Sequence, residues 1–279
     1  MAARRGMRPV CSGAVGIGLS LEETFRAIGE MGFREIDLLL VTGWAHLGLD
    51  ALNRDYAAVA RGVERMLGKH NLEIASVNVK YSVRLEDAGE EEIRQRQREL
   101  DALLRFMADF GTCRASVQPT LTDDTEYLEE TYPKFVRELA RQQAYSAGHG
   151  VLLSLEPHIR SSVCTNAALH RLLNTYPGLH ITYDPSHILF GGEELHSTAY
   201  LFSHATLVHL RDARPGELFV PWGKGGLDLP FVIEGLGKAG YDGPVVLEYL
   251  SDRCDDAIRQ DLAMFAQAVR RCIDTLPEA

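Results

Sequence analysis

The sequence predicts an α/β protein built as a single (β/α)8 barrel, a TIM barrel. Three observations support this prediction. Eight short apolar runs alternate with stretches of helical periodicity, successive runs are spaced by roughly 26–41 residues as βα units require, and 279 residues suit one barrel of this kind. Strict alternation predicts a parallel sheet, and eight units in this length favour a closed barrel over an open doubly wound sheet. One domain is therefore expected over residues 1–279.

The strand candidates are short apolar runs rich in β-branched residues. They lie at residues 8–16, 34–42, 72–79, 114–119, 150–156, 179–184, 205–210 and 244–249. Continuous apolar runs, rather than alternation of apolar and polar residues, are typical of strands that are covered on both faces. The strands of a barrel surrounded by helices meet this condition.

The helix candidates fill the intervals between these strands. Ser20 and Glu23 form a capping-box pattern before the first helix, and Gly32 can end it. Asp228 is expected to cap the seventh helix. The other candidates lie at residues 50–69, 88–111, 126–148, 165–175, 194–203, 229–239 and 254–274. The first β–α turn lacks the GxGxxG spacing, so a nicotinamide cofactor gains little support.

Composition restricts the classes of function. A net charge of −10 opposes binding to phosphate backbones, so no nucleic-acid partner is expected. The five cysteines are widely spaced and form no CxxC pair, which argues against a disulfide framework and a thiolate zinc site. No apolar run reaches about 18 residues, and the first residues do not form a signal-peptide pattern. We therefore expect a cytoplasmic protein that has no membrane partner.

Four ionisable residues end four consecutive strand candidates: Glu156, Asp184, His209 and Glu248. Residues at the carboxyl ends of barrel strands line the active site. Each residue alone is better explained as a helix cap, a solvated loop residue or a hydrogen-bonded core histidine, but four in succession predict a metal site. Three carboxylates and one imidazole suit Mn²⁺, Mg²⁺ or Co²⁺ better than a structural zinc. Such a metal can polarise a substrate carbonyl and hold a neighbouring hydroxyl.

Two further histidines lie near the ends of these strands. His187 comes three residues after Asp184, so it can overhang the same rim and bind a substrate hydroxyl. His158 comes two residues after Glu156, and the residues alone equally suggest that it is a partner of a ligand rather than a ligand or a catalytic group.

Three polar residues in the following loops are further candidates for substrate binding. Gln118 follows the fourth strand. Arg211 follows His209 on the seventh strand, with an ion pair to Asp212 or Glu217 as its alternative role. Lys224 lies in a glycine-rich segment that we expect to be a mobile loop.

Several segments together resemble the sugar phosphate isomerase/epimerase superfamily, whose fold is the xylose isomerase-like TIM barrel. The resemblance covers most of the chain and is strongest from about residue 150 to 250. It is carried by Leu155-Glu156-Pro157, Asp184-Pro185-Ser186-His187, Val208-His209-Leu210-Arg211-Asp212, residues 223–228 and residues 240–248. These motifs are specific for the superfamily and not for one substrate.

The resemblance implies a function. In the ketose 3-epimerases of the superfamily, the four matching residues hold a divalent metal, often manganese. By resemblance, this chain would bind Mn²⁺, with Mg²⁺, Co²⁺ or Zn²⁺ as alternatives. Glu156 and Glu248 would also be catalytic, moving protons on opposite faces of a ketose or related polyhydroxy carbonyl compound through a metal-stabilised enediolate. An isomerase or epimerase is therefore the leading expectation.

One departure from those epimerases supports an alternative. They carry a further substrate-binding Glu shortly after the ligand on strand five, whereas residues 157–162 contain no acid. His158 at this place resembles relatives that cleave 3-keto-glycosides or dehydrate polyols, in which a His near the metal takes the proton alpha to the carbonyl. The alternative is a metal-dependent lyase or dehydratase with His158 as the base.

Two other classes are disfavoured. A zinc endonuclease for DNA repair shares this barrel, but it needs additional ligands on early strands, for which His46 and Glu73 are poor substitutes. A non-catalytic binding protein has no reason to keep four ionisable groups at one rim. The expected partner is a small sugar or keto-glycoside. Self-association into a homo-oligomer is compatible with the resemblance, although no interface can be read from the sequence.

Overall fold

The computed structural model of the protein describes residues 6–277 and contains a closed barrel of eight parallel strands in sequential order. The strands are β1 (Arg8–Ser12), β2 (Glu35–Val41), β3 (Glu73–Lys80), β4 (Arg114–Val117), β5 (Leu152–Leu155), β6 (Ile181–Tyr183), β7 (Ala205–Leu210) and β8 (Pro244–Leu247). Pairing of β1 with β8 closes the barrel. The predicted (β/α)8 fold is confirmed.

Helices surround the barrel, and their starting signals agree with the sequence. They are α1 (Leu21–Glu30), α2 (Leu49–His70), α3 (Glu90–Asp109), α4 (Thr125–Ala147), α5 (Asn166–Thr175), α6 (Ser186–Phe190), α7 (Leu229–Lys238) and α8 (Asp256–Asp274). The capping box of Ser20 and Glu23 is present at the start of α1, and Asp228 caps α7. Gly32, just beyond α1, adopts the positive φ of +87° that favours glycine at such an end.

The structure differs from the sequence prediction in three places. The first strand stops at Ser12 because Gly13–Gly16 forms a 3-10 helix, which the Ser12 side chain caps. The helix predicted at residues 194–203 is also a 3-10 helix, Leu195–His204. Helix α6 directly after β6 was not predicted, since five residues are too few to show helical periodicity.

The interior of the barrel changes from apolar to ionisable along the strands. Val10, Leu207 and Val246 form an apolar cluster inside β1, β7 and β8. At the level of Leu207, which pairs with Thr182, the hydroxyl groups of Ser154, Thr182 and Ser116 are joined by hydrogen bonds of 2.6 and 2.9 Å. Glu156 and Asp184 come two residues after Ser154 and Thr182, so their side chains lie on the same face of the sheet. Strands β5 and β6 therefore place carboxylates at the carboxyl end of the barrel.

Candidate metal centre

The four predicted ligands meet at the carboxyl ends of β5 to β8. Glu156, Asp184 and Glu248 directly follow their strands, His209 lies within β7, and none is more than 5% exposed. Ligand atoms of Glu156, His209 and Glu248 lie within 4.8 Å of one another, and those of Glu156, Asp184 and His187 form a second group of this kind. Because Glu156 belongs to both groups, they make one cluster, which we call the carboxylate cluster.

The donor atoms of the carboxylate cluster fit a divalent cation. His209 Nδ1 lies 3.1 Å from Glu156 Oε1 and 3.6 Å from Glu248 Oε2. Within residues 6–277, the buried atoms Glu156 Oε2 and Glu248 Oε2 accept no hydrogen bond. Buried polar atoms without partners are unfavourable, and a cation among these oxygens would satisfy both. Carboxylate oxygens with one imidazole nitrogen are suitable ligands for Mg²⁺ or Mn²⁺, with Zn²⁺ as a softer alternative.

The charges in the cluster influence one another strongly. Burial opposes ionisation of Glu248, but Arg211 and His209 outweigh it and lower the pKa of Glu248 to about 2. Burial raises the pKa of Asp184, although Arg211 opposes this. Burial also disfavours a charged His209, yet the Glu156 and Glu248 carboxylates raise the pKa of this imidazole well above its ordinary value. A cation that binds His209 Nδ1 would displace the proton from that nitrogen and would balance the negative charge of the carboxylates in its place.

Arg211 lies among the carboxylates, on the rim where substrate binding was predicted. Its Nη2 is 2.9 Å from Asp184 Oδ2, its Nη1 is 3.4 Å from Glu248 Oε2, and its Nε donates a 2.8 Å hydrogen bond to Ser186 Oγ. The guanidinium therefore contacts two of the four candidate ligands and carries the positive charge nearest to them. Since Arg211 is only 3% exposed, these are buried ion pairs.

The alternative role for Arg211, an ion pair with Asp212 or Glu217, is wrong. Glu217 pairs with Arg214, three residues earlier on the same loop. The buried carboxylate of Asp212 instead accepts four backbone N–H groups at 2.9–3.1 Å, which belong to Ala213, Gly223, Gly225 and Leu227. Asp212 thus fixes the loop between β7 and α7.

Lys224 belongs to this loop. Because Asp212 fixes the loop through backbone hydrogen bonds, the expectation that it is mobile is not supported. A Cβ atom on Gly225 would lie 2.2 Å from Asp212 Oδ1, which shows how closely the loop is packed on the carboxylate. The Lys224 side chain is exposed and has no hydrogen bond or ion pair within residues 6–277, whereas its backbone N–H donates a 3.0 Å hydrogen bond to the carbonyl oxygen of Pro221. The structure does not bring it into the carboxylate cluster.

The rings of the two predicted histidines contact each other, with centroids 4.1 Å apart and planes tilted by 40°. His187 belongs to the second ligand group of the cluster, and His158 lies beside it. His158 Nδ1 lies 2.8 Å from the carbonyl oxygen of Ile159. A carbonyl oxygen only accepts, so Nδ1 of this half-buried ring donates to it, and Nε2 is the nitrogen left for a bound substrate. Burial and the Arg211 charge hold the pKa of His187 well below its ordinary value, so this ring is neutral.

Gln118 lies at the same level as the cluster, one strand outside it. Val117 pairs with Val79 on one side and Leu155 on the other, so the next residues, Lys80, Gln118 and Glu156, form one row across β3, β4 and β5. Lys80 and Gln118 line a cavity of about 140 Å³ at this end of the barrel. Gln118 is therefore next to the cluster without contacting it.

The remaining candidates and a second, larger cavity lie elsewhere. His46 Nε2 is 2.6 Å from the carbonyl oxygen of Leu19, and Glu73 begins β3 at the opposite end of the barrel. The endonuclease hypothesis requires additional ligands, but neither His46 nor Glu73 adds one to the cluster. A cavity of about 830 Å³ opens at the amino ends of the strands and contains no residue of the carboxylate cluster. In barrels of this kind, chemistry occurs at the carboxyl ends.

Sequence analysis missed Asp37, which lies within β2 and is fully buried. Its Oδ1 accepts a 2.6 Å hydrogen bond from Ser76 and lies 4.0 Å from His209 Nε2. Burial raises the pKa of Asp37 to about 6. The sequence contained a signal for Asp37, which is an acid inside the apolar run Ile36–Leu40. Because a buried acid rarely lacks a partner, this position indicates a polar partner inside the barrel.

Comparison with known proteins confirms the predicted resemblance. The family model of the xylose isomerase-like TIM barrels matches residues 25–268, and the chain belongs to this family. It is 30% identical over 145 residues to the rhizopine catabolism protein MocC of Rhizobium meliloti, a match that spans 44% of this chain and 43% of that protein. The chain thus aligns with less than half the length of this relative.

Two solved structures show the same fold. A xylose isomerase-like TIM barrel protein from Mycobacterium smegmatis in complex with magnesium gives a TM-score of 0.74 at 14% identity, covering 98% of this chain and 100% of that one. The 3-keto-D-glucoside 4-epimerase YcjR from E. coli gives 0.71 at 19% identity, covering 94% and 99%. At these identities the likeness concerns the fold.

Among residues 6–277, no helix is long and apolar enough to span a membrane.

Proposed function

We propose that the protein is a divalent-metal-dependent isomerase or epimerase that acts on a ketose or a related polyhydroxy carbonyl compound. The observation that carries the proposal is the carboxylate cluster, in which two buried glutamate oxygens lack hydrogen-bond partners beside an imidazole nitrogen. Glu156, Asp184, His209 and Glu248 would hold the metal, with Mn²⁺ or Mg²⁺ preferred by the oxygen-rich donor set. The magnesium-bound neighbour and the epimerase neighbour are consistent with this assignment.

The residues of the cluster have the properties that proton transfer requires. A cation held there would polarise the substrate carbonyl and make the adjacent C–H more acidic. Glu248, whose carboxylate is ionised at neutral pH, would accept this proton. Glu156 and Glu248 follow β5 and β8, with β6 and β7 between them, so they approach a bound substrate from different sides. One glutamate would remove a proton and the other would return one, while Arg211 and His187 bind substrate oxygens.

Metal content tests the proposal directly. The wild-type protein, supplied with Mn²⁺, Mg²⁺, Co²⁺ and Zn²⁺ in turn and then desalted, is expected to retain about one divalent ion per chain by elemental analysis. Glu156→Ala is expected to lose it, because Glu156 belongs to both ligand groups. Glu234→Ala, which changes an exposed glutamate on α7, is the matched control and should retain the metal. A wild-type protein that binds none of the four ions would contradict the proposal.

A second function is favoured by His158, whose Nε2 is the nitrogen left for a bound substrate at the edge of the cluster. In a metal-dependent lyase acting on a 3-keto-glycoside or keto-polyol, His158 Nε2 would take the proton from the carbon next to the carbonyl. The C–H electron pair forms the new C=C bond while the bond to the β-oxygen breaks. The protonated His158 then gives its proton to the departing oxygen, so the step is balanced.

Replacing His158 separates the two functions. His158→Ala is expected to lower the turnover of a lyase by about 10²–10⁴-fold, because it removes the general base, and to change an epimerase by less than about tenfold. NMR of the products from 3-keto-glucosides and ketoses identifies elimination or epimerisation and gives both rates. Metal content should be unchanged, since His158 belongs to neither ligand group.

A further inference from the structure

We propose that Asp37 is a positioning residue for His209, and that the Asp37 carboxylate accepts the Nε2–H of this imidazole when a cation occupies its Nδ1 side next to Glu156 and Glu248. This inference rests on the proposed metal centre and adds a residue that is not one of its ligands. Asp37 lies on β2 and His209 on β7, and both side chains are fully buried.

The two nitrogens of His209 face different carboxylates. Nδ1 lies 3.1 Å from Glu156 Oε1, within the carboxylate cluster, whereas Nε2 lies 4.0 Å from Asp37 Oδ1. Within the described residues, neither His209 Nε2 nor Asp37 Oδ2 has a hydrogen-bond partner. Nε2 can donate and the Asp37 carboxylate can only accept, and the oxygen that faces Nε2 at 4.0 Å is Oδ1, which also accepts from Ser76.

The Asp37 side chain is itself held in place. Asp37 and Ser76 are register partners on β2 and β3, and Ser76 donates a 2.6 Å hydrogen bond to Asp37 Oδ1. The separation between Asp37 and His209 exceeds a direct N–H···O hydrogen bond by about 1 Å, so a small rotation of either side chain closes it. Since a carboxylate accepts, direct contact requires the proton on Nε2.

Asp37 opposes a competing arrangement of the same histidine. With its proton on Nδ1, His209 would donate to Glu156 Oε1 at 3.1 Å, which occupies the nitrogen and the oxygen that would bind a cation. A second acceptor on the Nε2 side shifts the proton away from the cluster. Carboxylate partners of metal-binding histidines commonly change metal affinity by about 10–100-fold.

Metal affinity is the first test. Full-length protein stripped by a chelator is titrated with Mn²⁺ by calorimetry, comparing wild type, Asp37→Asn and Asp37→Ala. Asp37→Asn is nearly isosteric but removes the negative charge, so the oxygen that faces His209 Nε2 becomes a weaker acceptor. The Kd for Mn²⁺ is expected to rise about 10–100-fold in both variants. Glu99→Gln, a change at another fully buried carboxylate that bonds Ser82, should leave it unchanged.

The tautomer gives an independent readout. Nitrogen-15 spectra of histidine-labelled protein, loaded with diamagnetic Zn²⁺, should show His209 protonated at Nε2, with His209→Gln assigning the signal. A wild-type His209 protonated at Nδ1 overturns the inference whether or not the variants fold. So does a Kd within twofold of wild type in folded Asp37→Asn. Absence of metal binding by wild type would instead refute the proposed metal centre, so the two failures are distinguishable.

Discussion

Glu248→Gln is expected to leave the barrel folded and to lower kcat/KM by about 10²–10⁴-fold or more. Loss of a proton-transferring group alone has an effect of this size, and Glu248 is also one of the four candidate ligands. The amide has nearly the same volume but is neither charged nor basic at neutral pH. Folding should survive, because Arg211 keeps its 2.9 Å contact with Asp184 when the 3.4 Å contact with Glu248 weakens.

The measurement begins with a panel of ketoses and 3-keto-glucosides, offered to the wild type with Mn²⁺, Mg²⁺, Co²⁺ and Zn²⁺. The substrate that turns over is then used with Glu248→Gln and with Glu217→Gln, which changes an exposed glutamate on the loop after β7. The second variant should retain wild-type activity. Turnover by Glu248→Gln within about tenfold of wild type would show that Glu248 is neither the base nor an essential ligand.

The four candidate ligands could be predicted because their signal is local. Glu156, Asp184 and Glu248 each follow a short apolar run directly, and the carboxyl ends of parallel barrel strands meet at one rim. His209 lies within such a run, between Val208 and Leu210, so its inward direction follows from the alternation along a strand. Strand order and strand ends were therefore sufficient to bring these residues together.

The surroundings of the ligands could not be predicted because they depend on distant parts of the chain. From the sequence, the nearby residues Asp212 and Glu217 were the alternative ion-pair partners of Arg211. Its partners in the structure are Asp184 and Glu248, which follow β6 and β8. The direction of Asp37 depends on a register shift between Ile36 and Asp37 in the pairing of β2 with β3. A shift by one residue reverses which face a side chain occupies, and no local pattern specifies it.

Arg211→Met is expected to destabilise the metal-free protein strongly and to make its stability unusually dependent on metal. The guanidinium is the cation nearest to Asp184 and Glu248, both buried. Removing one partner of a buried ion pair costs about 3–5 kcal/mol, which for a protein of this size lowers Tm by about 6–20 °C. Methionine retains most of the side-chain volume, so the loss reflects charge rather than a large cavity.

Arg96→Met provides the matched control. Arg96 is 2% exposed, pairs with Glu138 at 3.0 Å and donates to two carbonyl oxygens far from the carboxylate cluster. Its loss should lower Tm comparably in metal-free protein. Added Mn²⁺ can replace the missing charge only at the cluster, where Arg211 otherwise competes for the same carboxylate oxygens. The rise in Tm at a fixed excess of Mn²⁺ should therefore be larger for Arg211→Met than for wild type or Arg96→Met, because a ligand that binds the folded state stabilises it more when its Kd is lower. Equal rises in all three proteins would mean that Arg211 and the metal do not share the cluster.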